Sequence, residues 1–230
     1  MSTNLEHIRH TLAHLLASSV RDIYPGTKNA IGPAIDDGFY QDFDLGPYKV
    51  SEDDFSKIEA KMREKLKEWT TSEHREVTLE EAKKEFAWNE YKCELADEFS
   101  KGGKKLTYSI LGGFLDLCKG GHSENPAKEI TPDSFRLDRV AGAYWRGDET
   151  KPMLTRIYGL AFENKEALDA YGVMMVEAEK RDHRKLGAEL DLFHFDESIG
   201  KGLPIWLPKG NIIKESLETW VKETEAQWGY

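Results

Sequence analysis

Two pairs of metal-type ligands, about a hundred residues apart, place the strongest constraint on how this chain folds. One pair is His10 and His14, in H-T-L-A-H, and the other is Cys118 and His122, in C-K-G-G-H. Residues i and i+4 of a helix project from the same face, so a helix would set the two histidines side by side. The Gly-Gly turn lets the cysteine and histidine of the second pair fold back towards a common point. If both pairs serve one site, the fold must bring the first helix against this loop.

The four side chains allow several kinds of chemistry. Three or four of them could bind zinc tetrahedrally and polarise a water molecule. Without a metal, a histidine could act as a general base, or Cys118 could be a covalent nucleophile. In the alternative without a functional site, the histidines are a surface pair and the cysteine is buried and inert, since each spacing alone is common. Asp116, two residues before Cys118 on a predicted strand, would share its face and could orient a histidine proton.

Composition limits the location and the partners of the chain. It has no run of eighteen apolar residues, no signal-peptide pattern and only two cysteines at unrelated positions, which predicts a cytoplasmic protein without a membrane span. The net charge of −10 argues against a nucleic-acid partner, but residues 101–160 hold ten Lys and Arg against seven acids. This mildly basic middle could meet phosphates, and a fluctuation in surface charge explains it equally well.

The order of the predicted elements favours an α+β fold. Apolar residues from Leu5 to Ile23 repeat with a helical period until Pro25-Gly26 ends the run. Strands do not alternate regularly with helices, so a mixed, mostly antiparallel sheet with packed helices fits better than a doubly wound sheet. We predict a helix over 3–24, a hairpin over 28–44, a helix over 52–69, a strand over 75–79, helical segments over 80–87 and 89–98, strands over 104–111, 113–118, 134–138, 142–146 and 153–162, a helix over 164–190, and a strand followed by a helix over 211–227.

Segments spread over nearly the whole chain closely resemble bacterial-type threonyl-tRNA synthetases, in that family's order and rough spacing. They are R-H-T-L-A-H-L-L-A, A-I-G-P-A-I-D-D-G-F-Y, F-L-D-L-C-K-G-G-H, A-G-A-Y-W-R-G-D, I-Y-G-L-A-F, R-D-H-R-K-L-G-A-E-L-D-L-F and G-K-G-L-P-I-W-L-P-K-G-N-I-I-K-E-S-L-E. The resemblance implies an editing domain over 1–165, a linker helix over 166–190 and the start of a class II aminoacylation domain over 191–230. Alanyl-tRNA synthetases and their freestanding relatives share both ligand pairs but lack the second and sixth of these segments in this order, so they rank second.

The resemblance implies hydrolysis of mischarged Ser-tRNA(Thr). A site built for threonine cannot strongly exclude serine, because the missing methyl group is worth only roughly 1–3 kcal/mol. The family's second site hydrolyses the seryl ester and rejects threonine, so the partner is tRNA(Thr) with its 3′-terminal aminoacyl-adenosine, and serine is a product. ATP and a catalytic zinc belong to the aminoacylation domain, in segments that would follow Tyr230. No aminoacylation is therefore expected from this chain alone.

The resemblance also assigns roles to residues of this chain. The residues expected to line the editing pocket are His10, His14, Cys118 and His122. Lys92 matches a position that helps to place or activate the water, Asp116 one that holds the seryl amino group or hydroxyl, and Tyr40 one near the terminal adenosine. Judged without the family, Tyr40 could stack on an adenine base, whereas a lone lysine is more often a surface residue.

The expected editing pocket manages a water molecule without a required cofactor, with zinc at the four ligands as the less favoured reading. Two other functions stay open: a zinc-stapled RNA-binding module without catalysis, and a freestanding deacylase of the alanyl-tRNA editing type. The full-length protein is expected to be a homodimer. Two residues depart from the family, Phe114 where Tyr is common and Gly121 where Pro is frequent, which predicts a looser loop around His122.

Overall fold

The computed structural model describes residues 3–103, 105–200 and 202–229. The chain divides into two compact units, Met1–Asp169 and Ala170–Tyr230, and each is described by itself. The helices are α1 (Thr3–Ile23), α2 (Phe55–Leu66), α3 (Leu79–Glu85), α4 (Glu90–Lys101), α5 (Pro126–Glu129), α6 (Lys165–Lys180), α7 (His183–Glu189) and α8 (Pro208–Gln227). The strands are β1 (Lys28–Asn29), β2 (Ala34–Ile35), β3 (Gly38–Asp44), β4 (Ser72–Val77), β5 (Leu106–Leu111), β6 (Phe114–Leu117), β7 (Phe135–Tyr144), β8 (Met153–Ala161), β9 (Phe193–Phe195) and β10 (Pro204–Trp206). All strand pairs are antiparallel, and the α+β prediction is confirmed.

The first helix, α1, runs through the core of the larger unit. Its apolar stripe is fully buried at Leu12, Leu16 and Val20, where it packs against α2 and β3. The helix ends at a turn in which Gly26 takes a φ of +86°, a backbone conformation that side chains with a Cβ rarely adopt. The predicted helix over 3–24 is therefore confirmed.

The larger sheet has the strand order β1-β3-β8-β7, with β2 paired to β3. The predicted hairpin over 28–44 is confirmed, since Lys28 pairs with Asp44. Phe39, Phe43 and Ile157 project from one face of this sheet into the core beside α1 and α2. The sheet thus fixes the position of α1.

A smaller sheet, β4-β5-β6, lies between two hydrophobic clusters. Successive residues of a strand face opposite sides. Phe114 and Leu111 therefore reach the cluster around α1, whereas Leu106, Tyr108 and Leu117 pack with residues of α3 and α4. The same alternation directs Asp116 towards α1, because it lies between Leu115 and Leu117 on β6.

The second unit contains α7, α8 and the hairpin of β9 and β10. The single helix predicted over 164–190 is wrong, because α6 ends at Lys180 and α7 starts afresh. The carboxylate of Asp182 accepts a hydrogen bond from the Arg184 amide at 2.8 Å, which caps the new helix. Trp220 and Trp228 are largely exposed, and the buried hydrophobic clusters of the described residues lie in the first unit.

Other boundaries also differ from prediction. The strand predicted over 75–79 occupies Ser72–Val77, because the hydroxyl of Thr78 caps α3 by accepting from the Glu81 amide. The strands predicted over 134–138 and 142–146 form one strand, β7, with a register irregularity. The strand predicted over 104–111 starts at residue 104, which lies outside the described residues, and the rest forms β5. None of the described helices is long and apolar enough to cross a membrane.

Candidate active site

The two ligand pairs meet, as the sequence requires if they serve one site. On α1 the rings of His10 and His14 lie 5.1 Å apart between centroids. The Cys118 sulfur lies 3.3 Å from His10 Nε2 and 3.6 Å from His122 Nε2. One ligand atom from each of the four residues falls within 4.8 Å of the others. A helix and a distant loop therefore form a single cluster, the His/Cys cluster (His10, His14, Cys118 and His122).

The loop that follows β6 reaches α1 through two glycines in left-handed backbone conformations. Gly120 has a φ of +91° and Gly121 a φ of +85°. The Gly121 carbonyl oxygen lies 3.2 Å from His10 Nδ1, and the Ser123 amide donates to Thr11 Oγ1 at 3.0 Å. These contacts fasten the loop to α1 on both sides of His122.

Asp116 is the centre of a buried polar network directly behind the cluster. The residue as a whole is 1% exposed. Oδ1 lies 2.7 Å from the ammonium of Lys92 and accepts the Leu117 amide at 2.9 Å. Oδ2 accepts the Asn29 side-chain amide at 3.0 Å and lies 3.2 Å from His14 Nδ1. Four nitrogen atoms thus surround one carboxylate, which places both Lys92 and His14.

A second asparagine holds this network together from α4. The side chain of Asn89 caps the helix by accepting from the Lys92 amide, and its NH₂ group donates to the Asn29 carbonyl at 2.8 Å. The start of α4 is therefore tied to β1. Lys92 enters the site from the first turn of α4 with only 4% of its surface exposed. Such burial distinguishes it from the surface lysine that the sequence alone would suggest.

The cluster holds charges of both signs in a nearly dry environment. Burial opposes the protonated form of His14, but Asp116 and the Cys118 sulfur outweigh it and raise the pKa of His14 to about 9. Burial also opposes ionisation of Cys118, yet hydrogen bonds with the surrounding histidines lower the pKa of this thiol far below its usual range. Burial and the nearby His14 charge lower the pKa of His122 to about 4. These shifts favour the ionised thiol of Cys118, the protonated form of His14 and the neutral form of His122.

Asp116 stays ionised despite its burial. Burial alone would raise the pKa of this carboxyl group, but the neighbouring charges of Lys92 and His14 lower it. The network therefore carries a buried carboxylate balanced by two cations.

A cleft of about 580 Å³ opens onto the cluster. Its lining includes His10, His14, Lys92, Asp116 and Cys118, together with backbone and side chains of the segment 30–34. A volume of this order is in the range of small-molecule sites. A second cleft of similar volume lies beside Arg21 and Trp88 and contains none of the cluster residues.

Tyr40 stands apart from these residues. The strand β3 contributes Gln41 to the cleft, so the neighbouring Tyr40 points to the opposite face of the sheet. There its ring lies 5.6 Å from that of Tyr158, with the Arg156 guanidinium carbon 3.9 Å from its centroid. The structure brings His10, His14, Lys92, Asp116, Cys118 and His122 together and does not bring Tyr40 among them.

Two of the distances between donors of the cluster also suit a tetrahedral metal ion. Zinc–ligand bonds of about 2.0–2.3 Å place neighbouring ligand atoms roughly 3.3–3.7 Å apart, which the two contacts of Cys118 match. Asp116 beside His14 Nδ1 is the outer contact that ligating histidines usually have. The raised pKa of His14 opposes metal binding, because a protonated imidazole nitrogen cannot bind a metal ion. The residues could hold zinc.

The chain is similar in sequence to known proteins over almost its whole length. No protein-family model matches the chain. It is 45% identical over 225 residues to the threonine–tRNA ligase of Phocaeicola vulgatus. This match covers 96% of the chain and 34% of that relative. It is also 44% identical over 226 residues to the threonine–tRNA ligase of Streptococcus suis. That match covers 98% of the chain and 34% of that relative. The chain belongs to the threonine–tRNA ligase family. It spans about a third of the length of these relatives.

Two residues at the cluster were not singled out in the sequence. Asn29, which donates to Asp116, is the second residue of an unremarkable K-N pair. His74 on β4 stacks its ring on His122 at 5.4 Å between centroids, with planes 20° apart. Period-two alternation along S-E-H-R-E-V would have placed His74 on a definite face, but only the pairing of β4 with β5 shows which face that is.

Proposed function

We propose that this chain hydrolyses the aminoacyl ester of Ser-tRNA(Thr), and so carries out the editing reaction of a threonyl-tRNA synthetase. The observation that carries the proposal is the cluster itself: two histidines, His10 and His14, and the Cys118 sulfur line one cleft together with the buried ammonium of Lys92. Its relatives are named threonine–tRNA ligases, and an ester of serine with tRNA is the error that such an enzyme must remove.

In the proposed reaction, a water oxygen attacks the ester carbonyl carbon and the bond to the ribose oxygen breaks. His10 is the group assigned to accept the proton from the water, because it lines the cleft and its Nε2 lies in the cluster. A proton then goes to the ribose oxygen that leaves, which gives serine and tRNA. No covalent intermediate is needed, so Cys118 contributes charge and shape rather than a nucleophile.

Lys92 is proposed to place the water or the ester carbonyl. An ammonium group has three donors, and the structure assigns one of them to Asp116. The remaining donors can reach the cleft that Lys92 lines. A positive group beside a developing oxyanion stabilises it most strongly in a dry pocket.

The test is a comparison of two substrates. The purified chain should release serine from Ser-tRNA(Thr) and leave Thr-tRNA(Thr) largely intact. Equal turnover of both would contradict the specificity, and no turnover of either would contradict the activity.

Attachment of threonine with ATP is proposed to reside in the two thirds of the relatives' length that this chain does not span. Dimerisation of the complete enzyme is likewise a proposal.

A second function is favoured by one observation, the convergence of four donors suited to zinc. In that case His10, His14, Cys118 and His122 would hold the ion, which would supply a polarising charge or only a structural staple. Metal analysis and chelation separate the two. Bound zinc in a one-to-one ratio, unfolding on chelation and no deacylation would support the staple, and deacylation by metal-free protein would support editing.

A further inference from the structure

The residue His74 lies in a row of side chains that crosses the smaller sheet. It pairs with Ser109 on β5, which in turn pairs with Asp116 on β6. Residues that face one another on neighbouring antiparallel strands project from the same side. The row therefore runs from an exposed histidine on β4 to the buried carboxylate behind the cluster.

Both the orientation and the position of the His74 ring are fixed by neighbours. Its Nδ1 lies 3.1 Å from the hydroxyl oxygen of Ser109, a residue that is 1% exposed. Its Cε1 lies 3.5 Å from the point where Gly120 would carry a Cβ, so it sits directly under the glycine turn. On this support its ring lies nearly parallel to that of His122.

His122 needs such support because little else fixes its ring. It follows two glycines with positive φ, and among the described residues its buried Nδ1 has no hydrogen-bond partner. Its Nε2 must nevertheless point at the Cys118 sulfur. Ring contacts with His10, His14 and His74 are thus the main restraints on its plane.

We propose that His74 is a positioning residue of the site, whose ring holds His122 in the orientation that directs Nε2 into the cluster. The proposal rests on the proposed deacylase function for its kinetic consequence. Stacking of flat rings requires an aromatic group and not a particular nitrogen. Phenylalanine at this position should therefore serve nearly as well as histidine, whereas alanine should not.

The experiment compares wild type with His74→Ala, His74→Phe and the control His194→Ala, which removes another exposed strand histidine. We expect kcat for Ser-tRNA(Thr) to fall roughly tenfold in His74→Ala with KM unchanged, as is common for residues that orient a functional group. His74→Phe and His194→Ala should retain activity. In NMR spectra, the nuclear Overhauser effect between the side chains of His122 and Cys118 should weaken only in His74→Ala.

Each possible result either supports or overturns the proposed role of His74. Wild-type activity in His74→Ala, or an unchanged nuclear Overhauser effect between His122 and Cys118 in that variant, would overturn the proposal. Equal losses in His74→Ala and His74→Phe would also overturn it, because a nitrogen and not the stack would then be needed. If wild type has no deacylase activity, the proposed function fails, and the NMR comparison still shows whether His74 orients His122.

Discussion

Replacing Lys92 with methionine tests whether the buried network is an energetic unit. Methionine has nearly the length of lysine and no charge, so the change removes one cation from beside Asp116. The carboxylate would remain 1% exposed, with its ammonium partner at 2.7 Å gone. Three contacts would survive, from the Leu117 amide, Asn29 and His14.

The expected cost follows from burial. Breaking a buried ion pair by removing one partner destabilises proteins by about 3–5 kcal/mol, because the other charge stays buried. The surviving contacts place Lys92→Met near the lower figure, about 3 kcal/mol. Adding Asp116→Asn should restore part of this loss, since the buried charge is then removed as well. The double variant should therefore lose less unfolding free energy than the sum of the losses in the two single variants.

Urea unfolding at neutral pH, followed by circular dichroism, measures the free energies. The chain offers a matched control in Lys105→Met, because Lys105 also lies 2.7 Å from a carboxylate, that of Glu76, but both are largely exposed. Exposed pairs contribute about 0–1 kcal/mol. If Lys92→Met and Lys105→Met cost the same free energy of unfolding, the assignment of a buried stabilising network is refuted.

Three shorter predictions concern the cluster. At neutral pH, iodoacetamide should alkylate Cys118 faster than Cys93, because the pKa of Cys118 is lowered and burial raises that of Cys93; peptide mass spectrometry measures both rates. The folded pKa of His14, about 9, exceeds the unfolded value of about 6.5, so its charge stabilises the fold fully below about pH 6.5, and this stabilisation is lost as the pH rises through 9. His14→Gln should therefore lower the unfolding free energy more at about pH 6 than at about pH 10, and an equal effect at both would contradict the shift. Gly121→Ala should strain the loop, since this residue has a φ of +85°, which residues with a Cβ rarely adopt; an unchanged melting temperature and unchanged His122 NMR signals would contradict it.

The sequence was sufficient where the signal was local. The spacing of His10 and His14 on an amphipathic helix predicted their common face, and the glycines before His122 predicted a reversing loop. Convergence of the two pairs was stated as a condition and is confirmed by the structure. These inferences depend only on helical periodicity and on backbone freedom.

The remainder depended on strand register and on contacts across the fold. Asn29 and His74 reach the site only through the pairing of β1 with β3 and of β4 with β5. A shift of one residue in the first pairing would turn Asn29 away, and a shift of one residue in the second would turn His74 away. The direction of Tyr40 is likewise a matter of strand face, and its predicted contact with adenosine stays a prediction.

The role of Asp116 separates a direct contact with the substrate from an indirect one. The sequence resemblance predicts that its carboxylate holds the seryl amino group or hydroxyl, but four nitrogen atoms already surround its two oxygens. A substrate ammonium would have to displace Lys92, His14 or Asn29, whereas a positioning carboxylate acts through Lys92 and His14 without moving. Asp116→Asn distinguishes the two in steady-state deacylation of Ser-tRNA(Thr). Loss of direct binding raises KM with little change in kcat, and loss of positioning lowers kcat with KM nearly constant. Because these nitrogen atoms are already in place, we expect the fall in kcat, and a rise confined to KM would contradict it.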